Sequence, residues 1–97
     1  MEDVLSWLSE LIGFDTTAEG TDAGKCAEYI AGEMSRRNAI VKTFVTSGGP
    51  REAHHLLAEV RGGDPSSVIL HAHLDTEDFG EEEGWLFPPD RASFRKG

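Results

Sequence analysis

One short stretch, residues 68–76, limits what this chain can fold into more than any other part of the sequence. An apolar run, Val68–Leu70, passes directly into two imidazoles and a carboxylate, those of His71, His73 and Asp75. A short run of strand formers bounded by turn residues predicts a buried strand. Side chains alternate across a strand, so the three polar groups share a face if the strand continues that far. We favour a backbone that leaves the sheet near Asp75, because open α/β sheets bind their ligands at the carboxyl ends of strands.

The spacing of these three polar groups fits two kinds of site. Burying them on one face is costly unless something satisfies them, and a divalent metal ion would do so. A hydrogen-bonded structural cluster would also satisfy them. Taken alone, the spacing therefore leaves a metal site and a structural cluster equally open.

Composition argues against several classes of function. The 97 residues suffice for one small domain, and the net charge of −9 argues against binding a phosphate backbone, which needs clustered lysine and arginine. Cys26 is the only cysteine, so the chain can form neither an intramolecular disulfide nor a thiolate zinc cluster. The acidic start lacks the features of a secretory signal, and no apolar run approaches membrane-spanning length. We expect a cytoplasmic protein with no nucleic-acid and no membrane partner.

Two amphipathic helices are predicted before residue 39. The first covers residues 2–12, and Gly13 is well placed to end it. The second begins with Thr21 or Asp22 as its N-cap and ends at Asn38, a plausible left-handed cap. Apolar residues at helical spacing mark its buried face: Ala23, Cys26, Ala27, Ile30 and Met34.

Three strands are predicted after the helices, at residues 39–46, 55–61 and 67–74. The first two should pair antiparallel, because the connection between them is short and rich in glycine. Leu57 and Val60 are the expected inward residues of the second strand. His54 and His55 point to opposite faces if they lie on a strand, and we interpret them as surface or turn histidines. Both helices should pack on one face of this sheet.

The last part of the chain changes in character. The acidic segment from Glu77 to Glu83 is typical of a solvated loop. Trp85, followed by Pro88 and Pro89, indicates a pinned loop that covers something apolar. The whole chain is predicted to be one α/β unit with the order helix, helix, strand, strand, strand, loop.

Several ordered segments resemble the opening of the zinc-dependent aminoacylase and carboxypeptidase family. That family includes acetylornithine deacetylase, succinyl-diaminopimelate desuccinylase and glutamate carboxypeptidases. The strongest match is His73-Leu74-Asp75-Thr76, because the family signature is His-x-Asp directly after an apolar strand. The other matching segments complete the order: Asp15-Thr16-Thr17, Ala27–Ala31, Leu57-Ala58, and Trp85 with Pro88 or Pro89. The resemblance covers nearly all of the chain.

The resemblance implies a fold, a cofactor and a reaction. The fold would be the amino-terminal part of a mixed-sheet zinc-peptidase catalytic domain. His73 would be the first metal ligand, and Asp75 a catalytic residue that orients a ligand or neighbouring group by a hydrogen bond. The complete enzyme would hold two zinc ions, with cobalt or manganese as substitutes, and would hydrolyse amide bonds of N-acyl amino acids or short peptides. It could also form a homodimer.

The chain departs from the family pattern at several positions. Glu77-Asp78 stands where many members have Val-Pro, His55 where Asn is common, and His71 where a small or apolar residue is usual. The family segments that carry the bridging aspartate, the glutamate base and the other ligands would follow Gly97. We therefore interpret residues 1–97 as an incomplete amino-terminal portion of a catalytic domain, with no linker or second domain, that is inactive by itself.

Two other functions remain open on the same residues. A metallo-β-lactamase-like hydrolase would use His71, His73 and Asp75 as metal ligands. That class usually has histidine where this chain has Thr76, and it opens with strands rather than helices. The second alternative is a non-catalytic, acidic α/β interaction module whose histidines are structural.

Overall fold

A computed structural model describes residues 2–49 and 51–95 of the chain. Two helices come first, and a hairpin of two strands follows them. In chain order the elements are α1 (Glu2–Gly13), α2 (Ala23–Arg36), β1 (Ile40–Thr46), β2 (Ala53–Glu59) and a single 3₁₀ turn, Glu82–Gly84. This is a small α/β arrangement, and both helices occupy the positions predicted from their apolar periodicity.

The carboxyl end of α2 is closed by a Schellman motif. Asn38 adopts a left-handed φ of 64°, as predicted. The backbone N–H of Asn38 donates to the Ser35 carbonyl at 3.1 Å, and that of Ala39 donates to the Met34 carbonyl at 3.1 Å. These two bonds satisfy carbonyls that the helix end leaves without a partner, and they turn the chain directly into β1.

Strands β1 and β2 pair antiparallel, which confirms the predicted hairpin. The register places Ile40 opposite Glu59 and Phe44 opposite His55. The Phe44 and His55 rings stack across the strands with their centroids 5.1 Å apart. The His55 Nε2 atom also lies 2.9 Å from the Thr46 hydroxyl. His55 is thus held within the sheet by its strand neighbours.

Helix α2 packs on one face of the hairpin. The alternation of buried and exposed side chains along β2 places His54, Leu56 and Ala58 on that face. A Cβ at Gly24 would lie 3.1 Å from the His54 ring, so the missing side chain of this glycine lets α2 approach β2 closely. On the helix, Cys26 and Ala27 are buried, as predicted.

Two predictions about β2 are wrong. Leu57 is exposed because its parity places it on the face opposite α2, and Val60 lies beyond the end of the strand. Leu57 and Val60 are also three positions apart, so they could not both point inward from one regular strand. His54 and His55 belong to β2 and are half-buried, rather than lying on the surface or in a turn.

Helix α1 does not share the sheet face with α2 in the part of the chain that the structure describes. The close element contacts join β1 to β2 and α2 to both strands. Helix α1 meets the end of α2 through Trp7, whose ring lies 4.2 Å beneath the Arg37 guanidinium carbon. Its apolar side chains Leu5 and Leu8 instead line an open groove against the segment around Trp85. The prediction that both helices pack on the sheet is therefore correct for α2 and wrong for α1.

The predicted third strand does not form. Among the described residues the sheet has two strands, and residues 67–74 pair with neither of them. Val68, Ile69 and Leu70 are 87, 85 and 93% exposed. Strand propensity largely reflects packing against neighbouring strands, and no described strand lies beside this segment. The radius of gyration, 15.9 Å, reflects the same looseness, since a compact domain of this length would have about 13 Å.

Candidate functional site

The site predicted from the sequence centres on His73, which lies on an exposed, non-helical segment. Its Nδ1 atom lies 2.7 Å from the backbone carbonyl oxygen of Asp75 and 3.2 Å from the Asp75 Oδ1 atom. Both oxygens can only accept a hydrogen bond, so the Nδ1 atom must carry the proton that bridges them. In the neutral ring this leaves the Nε2 lone pair without a proton. The side chains of His73 and Asp75 are 79 and 84% exposed, so other groups have room to approach.

The segment that carries His73 is attached to the rest of the molecule at Thr76. The Thr76 backbone N–H donates to the Thr16 carbonyl oxygen at 3.2 Å. The two threonine hydroxyls lie 3.1 Å apart, within hydrogen-bonding distance. Thr16 is 6% exposed and is the buried polar residue of the described structure, whereas Thr76 is exposed. The loop after α1 therefore anchors the chain three residues after His73.

That loop, residues 14–22, is closed by hydrogen bonds of its own. The Asp15 N–H donates to the Asp22 carboxylate at 2.9 Å, and the Asp22 N–H donates to the Asp15 carbonyl at 3.1 Å. Asp22 is the N-cap of α2 by position, but its carboxylate serves the loop instead of the helix. Arg51, two residues before β2, adds a link because its guanidinium donates to the carbonyls of Thr17 and Gly20.

Asp15 supplies the electrostatic part of this closure. Its Oδ1 atom accepts bonds from the Thr17 hydroxyl at 2.6 Å and from the Thr17 N–H at 3.2 Å. The hydroxyl bond is the main reason that the pKa of Asp15 is lowered, followed by the backbone bond. The positive charge of Arg51 acts in the same direction, while partial desolvation opposes it. The loop is thus built around an ionised carboxylate.

The structure does not bring the other predicted ligands to His73. The described residues contain no group of three or more histidine, cysteine, aspartate or glutamate side chains placed to hold a metal ion. His71, His73 and Asp75 therefore do not form a three-ligand set. His71 is exposed, and so are Glu77, Asp78 and the neighbouring acidic residues of the predicted solvated loop.

Trp85 pins the segment that follows the acidic loop, as the sequence predicted. Its indole N–H donates to the Phe79 carbonyl at 3.0 Å, and the two rings meet edge to face with their centroids 6.3 Å apart. Trp85, Phe87 and Phe94 line the groove that also contains Leu5 of α1. This segment therefore faces the apolar side chains of α1 across an open groove, in which Leu5 and Trp85 remain about half exposed.

Cys26 has no place in the site. Burial raises the pKa of its thiol, and the nearby Asp22 carboxylate acts in the same direction. A thiol that resists ionisation in an apolar position is a poor nucleophile and a poor metal ligand. Cys26 is the small core residue that the sequence predicted.

Sequence reasoning did not identify Thr16 as a partner of this site. Thr16 and Thr76 both lie in segments that carry the family resemblance, but they are 60 positions apart. Nothing in the spacing of the two segments connected them. The sequence signal that could have suggested the contact is that two polar motifs, one containing Thr16 and one containing Thr76, occur in one small unit and could contribute to one site.

Comparisons with protein-family models, curated proteins and solved structures found no match to this chain. Within the described residues, no helix has the length and apolarity needed to cross a membrane.

Proposed function

We propose that this chain contributes one ligand to the two-zinc centre of an amide hydrolase. The enzyme would belong to the aminoacylase and carboxypeptidase family and would act on N-acyl amino acids or short peptides. The main supporting observation is the bond from His73 Nδ1 to the Asp75 carbonyl, which leaves Nε2 available at an exposed position. The order of the family-like segments along the sequence adds support.

His73 and Asp75 fit the chemistry of a zinc ligand and its support. Zinc accepts the lone pair of a neutral imidazole. A metal-bound histidine almost always donates its second ring N–H to a carbonyl or carboxylate, and His73 has both acceptors within 3.2 Å in Asp75. The bond fixes the direction of the ring and raises its basicity.

Each residue has a defined part in the proposed reaction. Bound zinc would lower the pKa of a water molecule so that it can attack an amide carbonyl. His73 would hold its share of the metal, and Asp75 would keep that ring oriented through the reaction. The proton transfers need a general base, which the family supplies as a glutamate. The described residues form no group of three or more possible metal ligands, so the proposed centre would need further ligands and a base besides His73 and Asp75.

A non-catalytic interaction module is the second candidate. The observation that favours it is the exposure of Val68, Ile69 and Leu70, an apolar run that could pair with a partner strand. In that case the bond between His73 and Asp75 would only shape the loop.

Paramagnetic NMR with cobalt ions separates the candidates, because it locates even weak binding. We expect Co²⁺ added to the 97-residue chain to broaden the ring signals of His73 before those of the other histidines. His73→Ala should abolish this localised effect, and His71→Ala, the matched control, should leave it intact. Equal loss in both variants would favour the lactamase-like alternative, and broadening with no preference for His73 would favour the module.

Activity of the chain provides the second test. With zinc and N-acetyl amino acids or dipeptides, we expect no hydrolysis above background, because a two-metal hydrolase needs ligands on both ions and a base within reach of the water. Hydrolysis by this chain that survives His73→Ala would contradict the proposal.

A further inference from the structure

We infer that Thr16 is a positioning residue for His73. Its two contacts with Thr76, the backbone hydrogen bond and the hydroxyl contact (together called the clasp), hold the Asp75–Thr76 peptide so that the imidazole keeps its Nδ1–H tautomer and presents Nε2. The value of this arrangement for metal binding rests on the proposed function, but the clasp itself does not. Thr16 touches neither the ring nor any reacting atom, so it acts through Thr76 and the peptide bond before it.

The link runs through a single rigid unit. The carbonyl of Asp75 and the N–H of Thr76 belong to the same peptide group, which is planar and trans. The N–H donates to the Thr16 carbonyl at 3.2 Å, and the carbonyl accepts from His73 Nδ1 at 2.7 Å. Fixing the direction of the N–H therefore fixes the direction of the carbonyl oxygen. Each bond also polarises the peptide in the sense that strengthens the other.

Thr16 is suited to act as the fixed end of this link. It is 6% exposed, whereas His73 lies on a segment with exposed side chains. The loop around it is closed by the bonds between Asp15 and Asp22 and by the guanidinium of Arg51. The hydroxyl contact of 3.1 Å between Thr16 and Thr76 adds a second attachment point to the backbone bond. Because two contacts hold Thr76, the Asp75–Thr76 peptide cannot rotate freely about either of them.

The ring tautomer is the direct readout of this role. An unconstrained neutral imidazole favours the Nε2–H form, so a populated Nδ1–H form at His73 reports the carbonyl bond. Long-range ¹⁵N–¹H NMR of the 97-residue chain, recorded at alkaline pH where histidine rings are neutral, distinguishes the two forms. Hydrogen exchange at the Thr76 amide reports the clasp itself. Neither measurement requires metal or activity.

Four variants isolate the hydroxyl contact. Thr16→Val and Thr76→Val each remove one hydroxyl at nearly constant shape, and Thr16→Ser retains it. Thr21→Val is the matched control, an exposed threonine in the same loop. We expect both clasp variants to speed exchange at the Thr76 amide about two- to tenfold, the range for loss of one hydrogen bond, and to shift His73 toward the Nε2–H tautomer. Thr16→Ser and Thr21→Val should leave both readouts unchanged.

The outcomes separate this inference from the proposed function. Unchanged exchange and tautomer in Thr76→Val, whose exposed side chain can be replaced without disturbing the core, would overturn the positioning role of the Thr16 hydroxyl even if Thr16→Val failed to fold, because the backbone bond alone would then hold the peptide. A wild-type His73 in the Nε2–H form would also overturn it. If the clasp controls the tautomer but Co²⁺ shows no preference for His73, the clasp stands and the proposed function falls. If Co²⁺ binds at His73 and both Val variants leave this binding and the tautomer unchanged, the proposed function stands and the inference about Thr16 falls.

Discussion

Gly20→Ala is the substitution that should damage the loop around Thr16 most directly. Gly20 is buried, and a Cβ built on it would lie closer than 3.0 Å to both the carbonyl oxygen and the carboxylate of Asp15. The carboxylate could rotate away, but the carbonyl oxygen is backbone and also accepts the Asp22 N–H at 3.1 Å. The backbone itself must therefore move.

The expected loss of stability follows from the backbone contacts that the added methyl group displaces. Overpacking of this kind costs typically about 1–3 kcal/mol, and a lost hydrogen bond about 1 kcal/mol. Moving the Asp15 carbonyl weakens its bond from Asp22, and moving residue 20 weakens the bond from Arg51 to the Gly20 carbonyl. We expect the free energy of unfolding to fall by about 2 kcal/mol.

Urea unfolding monitored by circular dichroism measures this change. For a slope of about 2 kcal/mol per molar, typical of a small protein, the midpoint should fall by roughly 1 M. Gly13→Ala is the matched control, since Gly13 closes α1 and a Cβ there would meet nothing within 4 Å. That control should be neutral or stabilising by up to about 1 kcal/mol, because alanine favours helix more than glycine does. A Gly20→Ala midpoint equal to that of the wild-type chain would refute the close approach of Asp15 to Gly20.

Three further predictions concern other parts of the molecule. Thr17→Ala should raise the pKa of Asp15 toward its ordinary 3.8, as measured by NMR titration, because it removes the Thr17 hydroxyl bond, the main cause of the lowering, and keeps the backbone bond. The Asp15 contribution to stability is present above that ordinary value and should be lost as the pH falls through the lowered pKa; loop amides whose protection, after correction for the intrinsic pH dependence of exchange, does not fall in acid would contradict this sign. Cys26 is 3% exposed, so it should react with a disulfide reagent only as fast as α2 separates from the sheet. Reaction at the speed of a free thiol would show that the α2–sheet packing is wrong. The exposed 68–70 run should make the chain self-associate, and Ile69→Lys should reduce association in sedimentation velocity; a wild-type chain that stays monomeric at high concentration would oppose this.

The elements that the sequence predicted correctly are those built from local signals. The apolar stripes of α1 and α2, the left-handed Asn38 and the glycine-rich connection of the hairpin each act within a few residues. Such signals act locally and favour a helix or a turn at a given position. They do not specify which surface an element packs against, which is why the partner of α1 was wrong.

The prediction of a third strand was wrong for a related reason. Val68–Leu70 has the residue types of a strand, but a strand needs a neighbour with free backbone groups in register. Whether such a neighbour exists is a property of the whole fold. The prediction used the composition of the segment and assumed the neighbour, and the structure pairs β1 and β2 only with each other among the described residues.

The candidate site likewise combines residues that the sequence identified with one that it did not. Residue type and spacing pointed to His71, His73 and Asp75, and the family resemblance singled out His73 and Asp75, which the structure places in hydrogen-bonding contact. Thr16 could not be identified in this way, because its contact with Thr76 spans 60 positions. The sequence therefore identified both residues of the proposed ligand pair, while the contact of Thr16 with Thr76 is visible only in the folded loop.

The two ends of the His73 segment are consequently held very differently. On the carboxyl side, Thr76 is attached to a buried residue through two contacts. On the amino side, Leu70 is 93% exposed and residues 67–74 have no strand partner among the described residues. Pairing of Val68–Leu70 with another strand would fix the second end and would bury apolar surface at the same time. Because the proposed metal centre would need its ligands held to within about 0.5 Å, the same pairing that covers this run would complete the positioning of His73.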